Sequence, residues 1–155
     1  MAADGFRTLL KREESYAVHA LLYVASHPGA PAARIAEDLE LPRDFLAKVL
    51  RRLGKAGFVR NHPGRSGGVH LSVDLATLSL LDVLEAVSGP MVVDTCQTLL
   101  NCPTQKRTGR CALNGAWMSV CTQVRAAFGE VRLDRLVAAQ AKGAPGEARA
   151  RLASD

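Results

Sequence analysis

The chain has 155 residues, a length typical of one domain, and 48% of them are apolar, which is ample for a packed core. The formal net charge of +5 favours a polyanionic partner without specifying one. No apolar run approaches the roughly 20 residues of a membrane-spanning helix, and no signal-peptide pattern opens the chain, so we expect a cytoplasmic protein with no membrane partner.

The first part of the chain predicts two helices. Residues 1–5 show no periodic pattern and are expected to be loose. From 12 to 26 apolar residues recur at intervals of three and four, which predicts an amphipathic helix. Pro31 favours the start of a short second helix. That helix ends at Leu41, because the proline that follows disfavours helical backbone there.

A third helix is expected from Arg43 to about Gly57, a residue suited to cap its C-terminus. Two short strands, 58–60 and 69–73, should then flank the glycine-rich turn 61–68. This order of helix, short helix, turn, helix and hairpin is that of a winged helix-turn-helix. The predicted fold is therefore mainly α with a small β wing.

Three more helices are expected after the hairpin, at 80–87, 113–128 and 132–140. The second of them is long and has an apolar stripe that must be buried somewhere. Its members are Trp117, Val120, Val124 and Phe128. Pairing with the same helix of a second copy would bury this stripe, so we expect a homodimer.

Basic residues concentrate in the third helix and the hairpin, where seven occur between 43 and 65 against one acidic residue. A merely solvated helix face is the alternative, but in a winged helix-turn-helix this helix enters the major groove of double-stranded DNA. The residues expected to face base edges are Arg43, Asp44, Ala47 and Lys48. Those expected to meet phosphates are Arg51, Arg52 and Lys55. Arg65, at the hairpin tip, is expected to reach a minor groove.

Three cysteines lie in one polar stretch, Cys96-x5-Cys102-x8-Cys111, which we interpret as a mobile loop. Free cysteines are usually buried, so three in such a loop favour thiolate ligands for a metal. Structural zinc usually takes pairs of cysteines with two to four residues between them, whereas iron–sulfur clusters accept wider spacing. Cys121, on the apolar stripe of the long helix, is expected to be an ordinary buried thiol.

Several short stretches together resemble the family of winged-helix iron–sulfur and redox regulators that includes IscR, NsrR and RsrR. They are Ser15-Tyr16-Ala17-Val18 with Ala20-Leu21, the run from Leu50 to Val59, Gly67-Gly68, and the three cysteines followed by Ala116-Trp117. The resemblance covers roughly residues 7–140. It implies a homodimer that binds DNA sequence-specifically under the control of a 2Fe–2S or 4Fe–4S cluster on Cys96, Cys102 and Cys111.

In several members of this family a further ligand comes from the first helix of the partner subunit. The matching residues here are Glu14, Ser15 and His19, and His19 falls where a 2Fe–2S member places a histidine ligand. The chain also departs from the family pattern. The second cysteine gap is x8 instead of x5, Asn114 stands where IscR has a histidine ligand, and Ala47 replaces a glutamate that reads bases. The resemblance leaves the fourth ligand, the cluster type and the target sequence open.

The sequence thus favours a transcriptional regulator whose cluster senses redox state, nitric oxide or iron–sulfur status. A cluster-free regulator that uses the same thiols to sense redox state or metals is the second hypothesis. An enzyme or a small electron carrier is disfavoured, because neither needs a basic helix and wing. The expected parts are a DNA-binding domain at 7–90, a cysteine loop at 91–112, dimerisation helices at 113–140 and a disordered tail at 141–155.

Overall fold

The computed structural model describes residues 7–65 and 67–143. Their elements are α1 (Arg12–Ser26), α2 (Ala32–Asp38), α3 (Arg43–Lys55), β1 (Val59–His62), β2 (Gly68–Leu71), α4 (Leu80–Ser88), α5 (Pro103–Thr108), α6 (Ala112–Glu130) and α7 (Leu133–Lys142). A 3-10 turn at Thr95–Thr98 precedes α5. The order confirms a mainly helical protein with a two-stranded wing.

Two predictions concern the ends of the chain. Residues 1–5 lie outside the described residues, as does most of the tail predicted at 141–155. The first two residues of that tail belong to α7, which ends at Lys142. The prediction of disorder is wrong for these two, because the helical pattern of α7 continues beyond the residue where we ended it.

Helix α1 lies at the centre of the core. Its apolar stripe is fully buried at Ala17, Ala20, Leu21 and Val24, and it packs against α3, α4, α7 and β2. Helix α3 supplies Leu46, Val49 and Leu53, all buried. Spacings of three and four residues place these side chains on one face, so the opposite face of α3 is left to solvent.

The wing is a tight hairpin that lies against the connection between α1 and α2. Strands β1 and β2 are antiparallel, with Val59 opposite Leu71 and His62 opposite Gly68. A Cβ atom on Gly67 would lie 2.0 Å from the carbonyl oxygen of His62, and one on Gly68 would lie 2.0 Å from that of Gly29. The two glycines therefore allow close approaches that no other residue permits. Pairing reaches Gly68 and stops at Leu71, so the predicted strand at 69–73 was placed slightly too late.

Candidate DNA-binding surface and cysteine segment

The outer face of α3 carries most of the residues expected to contact DNA. Exposed side chains on this helix are Arg43, Asp44, Ala47, Lys48, Arg51 and Lys55. The buried leucines on the opposite face fix the rotation of the helix, so these side chains face solvent together. The structure therefore places six of the seven α3 residues predicted to contact DNA on one exposed surface.

Arg52 is the exception, and its predicted place on the outer face is wrong. One guanidinium nitrogen, Nη1, donates to Glu13 Oε2 at 2.5 Å and to the carbonyl oxygen of Val87 at 3.0 Å. The position lies next to buried Leu53, so a long side chain can turn back between α1 and α4. Arg52 thus joins three helices through hydrogen bonds inside the protein.

Glu13 also influences Lys48. The Lys48 Nζ atom lies 3.6 Å from Glu13 Oε1, although 58% of the lysine side chain is exposed. Desolvation raises the pKa of Glu13, but the hydrogen bond and charge of Arg52, together with Lys48, bring the net pKa below its usual value. Glu13 is therefore a carboxylate at neutral pH that anchors Arg52 and leaves most of Lys48 in solvent.

Two residues near α3 were not singled out by the sequence. The guanidinium of Arg12 lies over the rings of Tyr16 and Phe45, at 5.5 and 5.4 Å from their centroids. This cation–π stack adds a basic side chain beside the N-terminus of α3. The sequence feature that could have indicated this stack is an arginine four residues before an aromatic residue on the same helix.

The second such residue is Asn61, which lines a cleft of about 360 Å³ between α3 and the wing. Ala47, Arg51 and Gly54 of α3 line the same cleft. Alternation along β1 places Asn61 on the face that carries buried Val59, which is the signal that could have indicated it. Arg65 is exposed at the tip of the hairpin, beyond this cleft.

The cysteine segment is partly helical, so the prediction of a mobile loop is wrong. Cys96 lies in the 3-10 turn, Cys102 is the N-cap of α5, and Cys111 is the N-cap of α6. Pro103 at the first position of α5 and Gly109 in a left-handed conformation at its end provide the start and stop of this short helix. Each cysteine is therefore held at or near the start of a helical element.

The thiols of Cys96 and Cys102 differ in acidity. A hydrogen bond to Asp94, burial, and the charges of Asp94, Cys111 and Cys102 raise the pKa of the Cys96 thiol to about 11. Backbone N–H groups of Gln105 and Thr104 lower the pKa of Cys102. Of these two thiols, Cys102 is therefore the more acidic.

The three cysteines have the chemistry of metal ligands. To hold a metal centre, however, their side chains would have to come closer together. All three are free and partly exposed, and thiolates are the ligands that iron–sulfur clusters take. Within 7–65 and 67–143, however, no group of three or more His, Cys, Asp or Glu side chains is already arranged around a metal position.

The two α1 residues considered as further ligands lie in different environments. Glu14 is 7% exposed, and its Oε2 accepts a hydrogen bond from the backbone N–H of Lys11 at 2.7 Å. His19 is exposed. At about 100° per residue, five residues separate the two side chains by about 140° around the helix. His19 can therefore meet another molecule, whereas Glu14 caps its own helix.

Helix α6 is almost entirely outside the core. Cys121 is its one buried residue, and the thiol donates to the carbonyl oxygen of Met91 at 3.3 Å. This confirms Cys121 as a buried thiol. The predicted apolar stripe remains accessible, with Val120 40% exposed and neighbouring Leu113 56% exposed. Exposed apolar faces of this kind commonly mark interaction surfaces.

Contacts tie the cysteine segment to α4 and α6. Glu85 of α4 accepts hydrogen bonds from Arg125 of α6 and, at 2.8 Å, from the backbone N–H of Met91. Burial raises the pKa of Glu85, but these two donors outweigh it and leave the pKa below its usual value. The side-chain nitrogen of Gln97 lies 3.3 Å from the sulfur of Met118 on α6. Gln97, the residue after Cys96, is therefore in direct contact with α6.

Comparisons with known proteins agree with this architecture. The model of the Rrf2 family, described as iron-dependent transcriptional regulators, matches residues 10–139. The chain is 30% identical over 125 residues to the HTH-type transcriptional regulator IscR of Vibrio vulnificus, covering 79% of this chain and 73% of the relative. It is 29% identical over 149 residues to the putative regulator Rv1287 of Mycobacterium tuberculosis, covering 94% and 89%.

Solved structures show the same fold. IscR of T. potens superposes with a TM-score of 0.68 at 21% identity, covering 92% of this chain and 95% of that one. CymR, the global cysteine regulator of B. subtilis, gives 0.66 at 18% identity, covering 85% and 98%. No helix among the described residues is long and apolar enough to cross a membrane. The chain belongs to the Rrf2 family of transcriptional regulators, which are not enzymes.

Proposed function

We propose that the chain binds operator DNA as a homodimer, with α3 in the major groove and the wing in the adjacent minor groove. The observation that carries this proposal is the exposed polar face of α3 opposite fully buried leucines. Residues near the start of the helix, Arg43, Asp44, Ala47 and Lys48, read bases. Arg51 and Lys55 contact phosphates. Asn61 contacts the sugar-phosphate backbone of the DNA where that strand passes between α3 and the wing.

Arg65→Ala is expected to weaken binding most at operators with an A·T-rich flank. A narrow A·T minor groove concentrates negative potential, which attracts an inserted arginine. Affinity would be measured by fluorescence anisotropy on two duplexes that differ only in the flank under the wing. An equal loss on both duplexes would show that Arg65 contacts phosphate alone.

Homodimerisation is supported by α6. The helix contributes one buried residue to its own subunit, while its stripe around Trp117, Val120 and Val124 is partly exposed. A second copy of the same helix would cover this stripe through a two-fold interface. Such a dimer presents two copies of α3, and it therefore reads two half-sites at a fixed spacing.

Val120→Glu is expected to convert the dimer into a monomer, because it places an unpaired charge in the centre of an apolar interface. Thr122→Glu is the matched control. Thr122 is exposed and, at about 100° per residue, lies about 200° from Val120 around the helix. Sedimentation velocity would compare the two variants. Unchanged dimerisation of Val120→Glu would place the interface elsewhere.

The regulatory part of the proposal is an iron–sulfur cluster held by Cys96, Cys102 and Cys111, with His19 of the partner subunit as a further ligand. The family's description as iron-dependent and the similarity to IscR support it, together with three free thiols in one segment. Bound there, the cluster would supply a centre that responds to redox state, nitric oxide or iron–sulfur status. Ligation would draw the three cysteines together, and the contacts of Glu85 and Gln97 would connect that change to α6.

The second candidate keeps DNA binding but uses the thiols without a cluster. The lowered pKa of Cys102 supports it, because a thiolate is the reactive form towards oxidants and metals. The two functions differ in what anaerobically purified protein contains. Iron, acid-labile sulfide and a visible absorbance band are expected for the cluster, and their absence from such protein would favour the thiol sensor.

A further inference from the structure

We propose that His62 and His70 form a site for a divalent transition metal of the nickel or zinc class on the wing, separate from the cysteine segment. The two imidazole rings have centroids 5.0 Å apart and planes inclined at 87°. Imidazole nitrogen is a common ligand for both metals. The site lies outside α1 and the cysteine segment, and it needs neither the dimer nor DNA.

The hairpin itself brings the two histidines together. In the observed register Arg60 is opposite His70 and His62 is opposite Gly68. His62 and His70 therefore lie diagonally across the two strands on the same face of the sheet, where long side chains on neighbouring strands still meet. Gly68, with no side chain, lets the backbone of Gly29 pack closely beside this part of the hairpin. A metal between the two rings would link β1 to β2.

Both rings are available to a ligand. His62 is exposed, and His70 is half-buried. Among the described residues, the histidine ring that hydrogen-bonds to the protein is that of His27, whose Nδ1 lies 3.2 Å from the carbonyl oxygen of Tyr23. The ring of His70 packs against Gly29, because a Cβ atom there would lie 3.1 Å from His70 Cε1 and 3.2 Å from His70 Nε2. One imidazole is therefore positioned by packing, and the other is free to rotate towards it.

The distance between the rings suits a shared ion. Ring nitrogens bind zinc at about 2.0–2.1 Å, so two imidazoles on one ion must stand edge to edge with little space between them. From the observed separation and inclination of the rings, rotation of the two side chains would bring a nitrogen of each ring towards a common ion. Arg60 is the charged residue directly opposite His70, and because its side chain is exposed its guanidinium can stay in water away from the ion.

The test uses NiCl₂ as the probe and full-length protein in which Cys96, Cys102 and Cys111 are serine, because thiolates would bind the metal themselves. Isothermal titration should show one Ni²⁺ per chain. His62→Gln and His70→Gln should each weaken binding by roughly tenfold or more, a loss that removal of groups around a metal site commonly causes. His27→Gln is the matched control, since its ring lies on Tyr23, and it should leave binding unchanged.

Other results would overturn the proposal. If the protein with the three serine substitutions and both histidines intact takes up no Ni²⁺ at micromolar concentration, His62 and His70 are not a metal site. If one of the two variants keeps full affinity, a single histidine is responsible and the rings do not share an ion. A stoichiometry of one Ni²⁺ per two chains would place the ion between copies. Circular dichroism of each variant checks that the wing and core remain folded, since neither ring belongs to the core.

Discussion

Operator binding is expected to weaken about a thousandfold when salt rises from about 50 mM to about 200 mM, as for proteins that make six to ten phosphate contacts. Arg51 and Lys55 are proposed to contact phosphates and Arg65 to enter a minor groove, and all three are exposed cations that displace counterions from DNA. A homodimer doubles these three to six. Each contact releases counterions from the DNA, so the logarithm of affinity falls linearly with the logarithm of salt concentration. A slope near zero would contradict the proposed interface.

Arg51→Ala tests which residues make these contacts. Its dimer loses two of them, so the slope should become shallower by about 1.8, at about 0.9 for each contact. Arg135→Ala is the control, because Arg135 is an exposed arginine on α7, outside the helix-turn-helix and wing. Arg52→Ala should leave the slope unchanged and lower the melting temperature, since it breaks the bonds to Glu13 and Val87. A slope change in Arg52→Ala equal to that in Arg51→Ala would show that Arg52 leaves its internal partners when DNA binds.

The parts of the fold that depend on local periodicity were predictable. Apolar spacings of three and four placed α1 and α3, and prolines marked the boundary between α2 and α3. Exposure of Arg43, Lys48 and Arg51 followed from the same spacing, since burial of one helix face fixes the other. The buried position of Cys121 was predicted in the same way.

Contacts between distant residues were not predictable from these patterns. Arg52 looked like a member of the outer face, and its placement depends on Glu13 and on the end of α4, 39 and 35 residues away. The helix α5 was missed because its six residues, a proline followed by five polar ones, show no apolar periodicity. Glu14 and His19 looked like equal alternatives until packing buried one and exposed the other.

Cys96→Ala, Cys102→Ala and Cys111→Ala are each expected to abolish iron binding and the difference in DNA affinity between iron-loaded and iron-free protein. Cys96 lies in a 3-10 turn that contacts α6, and Cys111 is the N-cap of α6 itself, so common ligation of the three thiols would fix the segment against the dimer helix. Half-site spacing is a geometric constraint, and a small rotation of one α3 relative to the other is expected to change affinity by about tenfold, within the usual range for coupled sites.

The control variant is Cys121→Ala, which should keep both iron and switching, because this thiol is buried and donates to the Met91 carbonyl oxygen. His19→Ala should lose iron or change the visible spectrum, since His19 is the α1 side chain exposed to a partner. Glu14→Ala should mainly destabilise the start of α1, whose backbone it caps. Iron, acid-labile sulfide and DNA affinity would be measured anaerobically for every variant. A full complement of iron in Cys102→Ala, or equal affinity of iron-loaded and iron-free protein for one operator, would contradict the proposed switch.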